Sequence, residues 1–255
     1  MQVYSAEALV LRTHRYGEAD RIVVFLTEDR GKKRGVAKNA TTSRRRFGAA
    51  LEPLTRGRAT YVERETRDLV RLDRVEPHQT PLGAIAGLPD GHGAHVLGHA
   101  AYFAELLDEW SPEGGPNARL FRLGAAAADA LGQPGSVDAL ARYFEYWLLR
   151  LEGVYPAIDR CPHCQRLALG DGAALVAGDR RYVCGDCAAA GPRLSRDAMT
   201  FLRSAGTWTP VEAIRAGTPV PALRELERVH ARLIADHLEK SVRSARVVKE
   251  LRPES

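Results

Sequence analysis

Four cysteines in two close pairs have the spacing that points most directly to chemistry. Cys161 and Cys164 form one C-x2-C pair, and Cys184 and Cys187 form the second pair after nineteen intervening residues. Each pair can present two thiolates from one tight turn, and two such turns complete a tetrahedron around Zn²⁺. Because four thiolates leave no position open for water, the spacing predicts one structural zinc ion.

The first pair also allows a redox interpretation, because Cys161-Pro-His-Cys164 looks like the active motif of thiol oxidoreductases. That motif works within a βαβ unit that lowers the pKa of its first thiol, and the second pair would then have no role. A zinc deaminase needs a glutamate two residues after its first ligand, and none of these cysteines is followed in that way. The spacing therefore favours structural zinc over redox or deaminase chemistry.

Three histidines, His92, His95 and His99, form an H-x2-H-x3-H set. On a helix His95 and His99 share a face, which is how two metal ligands can be presented. A zincin would carry a glutamate directly after His95, whereas Val96 stands there. A zinc hydrolase built on these histidines stays an alternative to the simpler interpretation, which is a histidine cluster at the start of a helix.

A dense run of positive charge lies between Arg30 and Arg58. It holds ten Lys or Arg residues and a single acid, Glu52. Residues 1–80 carry seventeen basic and eleven acidic residues, so the net charge of +5 belongs to this part of the chain. An ordinary exposed surface mixes both signs, whereas a run of one sign repels itself unless a polyanion lies beside it. The run predicts a surface that follows the phosphate backbone of a nucleic acid.

Five short β-prone segments with turn residues between them occupy the first 72 residues. They are Ala8–Leu11, Ile22–Leu26, Gly35–Ala37, Ala59–Val62 and Leu69–Leu72. This pattern predicts a small closed barrel of the OB type, which commonly binds single-stranded nucleic acid in a basic groove with a few stacking aromatics. Phe47, which follows an arginine triplet, is the predicted stacking ring; a residue that anchors the loop to the barrel would give the same pattern.

Helical periodicity replaces the strand pattern after residue 80. Apolar spacing predicts helices over 94–110, 119–131 and 138–151, a short helix capped by Ser195, and a longer helix after Pro221. The predicted fold class is α+β multidomain. It comprises an OB-type β-barrel over 1–80, an α-helical bundle over 81–160 and 191–245, an inserted four-cysteine zinc ribbon over 161–190, and a frayed tail over 246–255.

Several functional classes lack their sequence signatures. No Walker A loop, G-x-G-x-x-G or G-x-S-x-G motif occurs, and no paired carboxylates stand out, so the sequence does not predict an enzyme. The first twenty residues contain acids and no apolar run of signal-peptide type, and no stretch of about 18 uncharged apolar residues occurs. We expect a cytoplasmic protein without a membrane partner or a small-molecule substrate.

The order of these features resembles the bacterial RecO family of recombination mediators. In the barrel the resemblance rests on the segments Ala8–Arg12, Tyr16–Arg21, Leu26-Thr27, Gly31-Lys32, Gly35–Lys38, Ser43-Arg44 and Phe47–Leu54. Downstream it rests on Tyr143–Leu151, on the Gly153-Tyr155-Pro156 turn and on the two cysteine pairs. One departure is Asn39, where the resemblance leads us to expect glycine.

The resemblance implies an OB-fold followed by a helical domain with a zinc-binding insertion. It implies binding of single- and double-stranded DNA, annealing of complementary strands and, with RecR, loading of RecA onto DNA coated by single-strand binding protein (SSB), whose acidic C-terminal tail some members dock. The DNA contacts carried over are Lys32, Lys33, Arg34, Lys38, Arg44, Arg45, Arg46, Arg56 and Arg58. An RNA-binding factor of transcription or translation is the alternative, because barrels and zinc ribbons also occur there.

Overall fold

A computed structural model describes residues 1–43, 45–64, 68–88, 92–113, 115–166, 172–176, 180–188 and 191–253. Contacts between Cα atoms divide the chain into two compact units, the first comprising residues 1–133 and 242–255 and the second residues 134–241. The finer domain boundaries that the sequence suggests stay predictions. No helix in the described ranges is both long and apolar enough to cross a membrane.

Five strands close into a barrel in the first unit. They are β1 (Gln2–Tyr16), β2 (Asp20–Thr27), β3 (Gly31–Ala37), β4 (Arg56–Glu63) and β5 (Val70–Gln79). The order around the barrel is β1-β2-β3-β5-β4, and the pairing is antiparallel except between β3 and β5. The long β1 closes the barrel because its first half pairs with β4 and its second half with β2. The predicted OB-type fold is confirmed.

Apolar side chains from all five strands fill the barrel. Phe25 and Tyr61 meet edge to face at the centre, with ring centroids 5.4 Å apart. Val23 and Leu72 are buried beside them, as expected for strands whose alternate residues point to one face. Phe47, from the connection between β3 and β4, belongs to the same cluster and is 2 % exposed. The barrel core therefore also fixes the connection that carries much of the basic run.

Three helices of the first unit follow the barrel: α1 (Pro81–Ile85), α2 (His92–Trp110) and α3 (Ala118–Ala130). Helix α2 buries Phe103, and α3 approaches both α2 and β1 closely. A Cβ atom at Gly124 would lie 2.7 Å from side-chain atoms of Leu9 and of Leu107, so only glycine fits this part of α3 without displacing a neighbour.

The second unit contains α4 (Val137–Leu151), α5 (Arg196–Ala205), α6 (Pro210–Arg215) and α7 (Val220–Leu238). A small sheet of the order β7-β6-β8 joins β6 (Ala173–Val176), β7 (Arg181–Cys184) and β8 (Arg193–Leu194). The side chains of Ser136 and Ser195 cap α4 and α5 by accepting hydrogen bonds from the backbone N–H groups of Ala139 and Ala198. The predicted cap at Ser195 is confirmed.

The last helix, α8 (Arg243–Glu250), belongs to the first unit, where it packs against α2. Its first residues have no side-chain cap of their own, and the carboxylate of Glu105 accepts hydrogen bonds from the backbone N–H groups of Arg243 and Ser244, at 3.0 and 2.8 Å. Val248 is buried. The segment expected to fray from residue 246 is thus largely helical, because a distant acid supplies its cap.

Candidate nucleic-acid interface and metal centre

Lys32, at the start of β3, is withdrawn from the surface. Its Nζ donates to the backbone carbonyl of Asp108 at 2.8 Å and lies 3.3 Å from the carboxylate of the same residue, and its side chain is only 9 % exposed. Burial of an ammonium group requires such partners. The placement therefore does not support the predicted contact between Lys32 and DNA.

Four other predicted DNA contacts are on the surface but face carboxylates. Each of these cations lies within 3.0 Å of an acid of the same unit, in the pairs Lys33–Glu63, Arg34–Glu113, Arg56–Asp129 and Arg58–Glu7. The Arg34–Glu113 pair is well exposed, so salt screens it and a phosphate can replace the carboxylate, whereas the side chains of Lys33 and Glu63 are only 22 % and 27 % exposed. We call these five residues, Lys32, Lys33, Arg34, Arg56 and Arg58, the paired cations.

The segment that carries Glu113 is held against β3 by its backbone. Glu113 forms a parallel bridge with Lys32. At Gly31, which has a φ of +68°, a Cβ atom would lie 2.1 Å from the carbonyl oxygen of Gly115. Glycine is required at Gly31 both by this close approach and by the backbone conformation. The carboxylate facing Arg34 therefore belongs to a fixed segment.

A second group of cations lies after β3 and has no acidic partner among the described residues. Lys38 and Arg45 are exposed, and among the residues that the structure describes neither has a carboxylate within ion-pair distance. Arg46 is half-buried; its guanidinium donates to the Ser43 hydroxyl at 2.9 Å and to the Lys38 carbonyl at 2.5 Å. Arg44 lies outside the described residues. Lys38 and Arg45 are therefore the predicted contacts that are open to a phosphate, and we call them the open cations.

The connection that carries the open cations is hydrogen-bonded to the β1–β2 turn. The backbone N–H of Asn39 donates to the Asp20 carboxylate at 2.8 Å, and that of Thr41 donates to the Ala19 carbonyl at 3.1 Å. Asn39 has a φ of +55°, a conformation that glycine adopts most readily and that asparagine tolerates. This explains the departure at Asn39, because asparagine serves where the family resemblance suggested glycine.

Phe47 anchors this connection instead of forming an exposed platform. Its ring is buried in the barrel core, and the Arg46 guanidinium lies 5.0 Å from its centroid. A base cannot stack on a ring that is 2 % exposed. The interpretation of Phe47 as a stacking residue is therefore replaced by its role as an anchor, which the sequence pattern also allowed.

A cleft of about 750 Å³ opens where the turn, β3 and the β4–β5 connection meet. It is lined by Tyr16 and Asp20 from the turn, by Val36 and Lys38, and by Arg64 and Leu69 from the connection. A neighbouring cleft of about 870 Å³ shares Arg64 and Leu69 and extends to the pairs Lys33–Glu63 and Arg34–Glu113. OB-folds bind oligonucleotides on the face of β2 and β3 and with the loops that correspond to the β1–β2 turn and the β4–β5 connection, the two segments that border this cleft.

Of the residues that line the first cleft, the sequence pointed to Lys38 alone; Tyr16, Arg64 and Arg71 are among those it did not indicate. Tyr16 could have been found, because it directly precedes the Gly17 turn signal and the last residues of a strand at a turn are often exposed. Arg71 becomes part of the cleft through the parallel pairing of β3 with β5, which joins distant segments, and Arg64 directly follows the end of β4. Local sequence patterns carry no signal for that pairing.

The four cysteines converge in the second unit. Their sulfur atoms all lie within 4.8 Å of one another, and those of Cys164 and Cys184 are 3.7 Å apart. Zinc–sulfur bonds of about 2.3 Å give a tetrahedron whose edges are about 3.8 Å, so the cluster fits a tetrahedral metal ion. The second pair therefore joins the first at one site, as the zinc interpretation requires and the redox interpretation does not.

The local backbone prepares the cluster for thiolates. Backbone N–H groups of Cys164 and Cys184 point toward the Cys161 sulfur and lower the pKa of this thiol to about 6. The neighbouring sulfurs of Cys184 and Cys164 raise the pKa of Cys187 to about 12. Four adjacent thiols cannot all ionise unless a cation balances them. The donor set therefore suits a soft divalent metal.

A buried chain of polar groups links α4, α7 and the sheet of the second unit. Arg142 donates to one oxygen of Glu145 at 2.7 Å, and the other oxygen accepts from Nδ1 of His230 at 2.9 Å. Nε2 of His230 accepts from the Tyr155 hydroxyl at 2.9 Å, which in turn accepts from Tyr182 at 3.3 Å. Burial lowers the pKa of His230, and the neutral imidazole satisfies both of its neighbours.

The three histidines of the hydrolase alternative differ in environment. His92 is exposed in the first turn of α2, whereas His95 and His99 are buried with ring centroids 4.5 Å apart. Nδ1 of His99 donates to the His95 carbonyl at 2.9 Å. The set does not present three ligands to one accessible site, so the helix-start interpretation fits better.

Comparison with known proteins places the chain among DNA repair proteins. Its residues 1–81 match the family model described as recombination protein O N terminal, and residues 94–246 match recombination protein O C terminal. It is 34% identical to the DNA repair protein RecO of Anaeromyxobacter dehalogenans over 96% of this chain and 95% of the relative. It is 32% identical to that of Geobacter metallireducens over 100% of both.

A third relative, the DNA repair protein RecO of Koribacter versatilis, is 44% identical over 62% of each chain. The two family models together cover the barrel and most of both units, and the Anaeromyxobacter and Geobacter relatives match across nearly the whole length. The chain therefore belongs to the recombination protein O (RecO) family.

Proposed function

We propose that this chain is a non-enzymatic DNA-binding protein of recombinational repair that acts in the cytoplasm at the nucleoid. Family membership supports a role in repair. The observation that carries DNA binding is the pair of exposed open cations, Lys38 and Arg45, of which Lys38 lines a cleft between the β1–β2 turn and the β4–β5 connection, the two segments that OB-folds use for oligonucleotides.

Phosphates bind first at the open cations, because no carboxylate has to leave them. Arg46 adds positive charge from the same connection, and Arg44 stays a predicted contact. Binding at Lys33 and Arg34 follows by exchange, since a phosphate must replace Glu63 or Glu113. Arg56 and Arg58 are weaker contacts for the same reason. Such contacts are to the backbone and read no sequence, which suits single- and double-stranded DNA alike.

Annealing follows from the same electrostatics. Two complementary strands repel each other through their phosphates, and a protein surface that neutralises part of this charge lowers the barrier to pairing. With RecR, the protein then helps to load RecA onto strands coated by SSB, and the SSB tail is a partner. These partners rest on family membership.

One Zn²⁺ ion bound by Cys161, Cys164, Cys184 and Cys187 is the proposed cofactor, and it stabilises the fold. The strands β6 and β7 have four residues each and β8 has two, so the sheet is too small to supply a core of its own. Four thiolates complete the coordination, and the ion takes no part in chemistry.

The binding proposal is tested by removing charge from each group of cations separately. In fluorescence anisotropy with labelled single-stranded DNA, the variant K38Q/R45Q removes the open cations and K33Q/R34Q removes two paired cations. About five contacts give a slope of log affinity against log salt near −3.5, at roughly −0.7 for each contact. We expect K38Q/R45Q to make this slope less negative by about 1.4, at roughly 0.7 for each of the two contacts removed, and K33Q/R34Q to change it by less.

The matched control is R203Q, which removes an exposed arginine of the second unit. An affinity that does not depend on salt would contradict the electrostatic mechanism. Equal effects of the two double variants would contradict the division into open and paired cations. Competition with RNA of equal length separates DNA binding from the RNA alternative, which a clear preference for RNA would favour.

The mediator role is tested by annealing of SSB-coated complementary strands, with and without RecR. We expect the chain to accelerate annealing and RecR to extend the effect to RecA loading. DNA binding without any acceleration would restrict the function to binding.

A further inference from the structure

The barrel contains five aromatic side chains, all of them described; three are buried and a fourth is covered by an arginine. Phe25, Phe47 and Tyr61 are at most 2 % exposed. Tyr4 is half-buried, with the Arg30 guanidinium 3.7 Å from its ring centroid. Tyr16 is 50 % exposed. It is the barrel aromatic whose ring is open to a ligand.

Tyr16 lies on the wall of the cleft that holds an open cation. Tyr16 and Lys38 line the same cleft of about 750 Å³, together with the apolar side chains Val36 and Val70. Phosphates held by Lys38 would bring the attached bases to this wall. The cleft therefore combines the two elements of a single-strand site, which are a cation for the backbone and a ring for a base.

The position of Tyr16 is fixed before a ligand arrives. It is the last residue of β1, paired with Asp20 across the turn, and Gly17 follows with a φ of +66°. Thr41 and Asn39 tie the adjacent connection to Ala19 and Asp20 of this turn. A platform on a paired strand end loses little conformational freedom on binding.

We propose that Tyr16 is a base-stacking platform that makes the cleft favour single-stranded over double-stranded DNA. This inference rests on the proposed function and attributes the discrimination between single- and double-stranded DNA to one residue. Phosphate contacts exist in both forms of DNA, whereas a base can leave its neighbours and stack on a side chain far more easily when it is unpaired. Removal of the ring should therefore weaken single-strand binding selectively.

The experiment compares Y16A, Y16F and V3A with the unaltered chain, on single- and double-stranded oligonucleotides at one salt concentration. Val3 is a suitable control because it is an exposed residue of the same strand, at 61 %. Stacking of one base contributes about 1 to 3 kcal/mol, which is about 5- to 150-fold in affinity. We expect Y16A to lose at least about fivefold on single strands and less than twofold on duplex, with Y16F and V3A unchanged.

A second readout separates stacking from a structural effect. A 2-aminopurine base in the single strand reports stacking through quenching of its fluorescence, and we expect this quenching in Y16F but not in Y16A. Equal losses on both forms of DNA, or full quenching in Y16A, would overturn the inference while leaving the proposed function intact. Failure of the unaltered chain to bind DNA would overturn the proposed function itself.

Discussion

The two units of the molecule hold their polar groups in opposite ways. In the second unit short, directed contacts fix the four thiols and the polar chain that runs from Arg142 through Glu145 to His230. The side chains of Arg142, Glu145 and His230 are almost fully buried. In the first unit the described cations of the basic run lie mostly on the surface, with carboxylate partners or, within the described part of the chain, with none. Arginine and glutamate side chains are therefore fixed in buried pairs in the second unit, whereas on the surface of the first unit they can exchange their partners.

This difference predicts which conditions each unit responds to. Exchangeable surface pairs are weakened by salt, whereas buried pairs are screened much less. The clustered thiols respond to metal, and the buried imidazole of His230 responds to protons because burial penalises its charged form. We therefore expect metal removal to have the largest effect, a change of pH a smaller one and a single charge change the smallest. The first two should act on the second unit and the last on the first unit.

The largest effect should follow from removal of one cysteine. We expect C161S to lose the proposed zinc ion and to unfold at a temperature lower by on the order of 10 °C, because metal binding and folding of such a cluster are one process. Elemental analysis and thermal unfolding monitored by circular dichroism measure the two results.

H163A is the matched control for C161S, since His163 lies between two cysteines in the same turn and is exposed. It should keep both the metal and the unfolding temperature. If C161S retained a full equivalent of metal, the metal site would not be this cluster, and the contrast between the two units would not hold.

The next effect is a loss of stability in acid through His230. Burial lowers the pKa of His230 in the folded chain, whereas in the unfolded chain this histidine takes up a proton near pH 6.5. Its contribution is therefore present above that pH and is lost as the pH falls. Between about pH 7.5 and about pH 5.5 this amounts to at most about 1.4 kcal/mol.

Denaturant unfolding of the unaltered chain and of H230Q at both pH values measures this contribution. We expect H230Q to be less stable and also less sensitive to pH, and H14Q, which changes an exposed histidine of β1, to keep the original pH dependence. An unchanged pH dependence in H230Q would show that His230 is protonated in the folded state as well.

The four-cysteine cluster and the barrel could be predicted from sequence because their signals are local. Two knuckles need only the spacing within each cysteine pair, and the strands need only short apolar runs between turns. The site on the barrel was predicted less completely, because Asp108, Glu113 and Asp129 lie 73 to 79 residues after the cations they meet. No local pattern shows that such acids return to the basic run.

The two other differences have the same origin. Phe47 follows three arginines, so the sequence pattern predicts an exposed ring, but the ring is buried in the core of the barrel. Helix α8 begins at Arg243 because Glu105, 138 residues earlier, accepts its backbone N–H groups. In both cases the deciding partner comes from a distant segment, and the sequence around the residue carries no trace of it.

The smallest effect tests whether a paired cation is exchangeable. In E113Q the carboxylate that faces Arg34 becomes neutral, so a phosphate no longer has to compete with it. An exposed pair is worth about 0.2 to 1 kcal/mol, and we therefore expect affinity for single-stranded DNA to rise by at most about fivefold at low salt, less at high salt. E250Q, which breaks an exposed pair with Arg246 on α8, should leave affinity unchanged. If E113Q binds like the unaltered chain at low salt, Arg34 does not reach the DNA, and exchange at this pair contributes nothing to the interface.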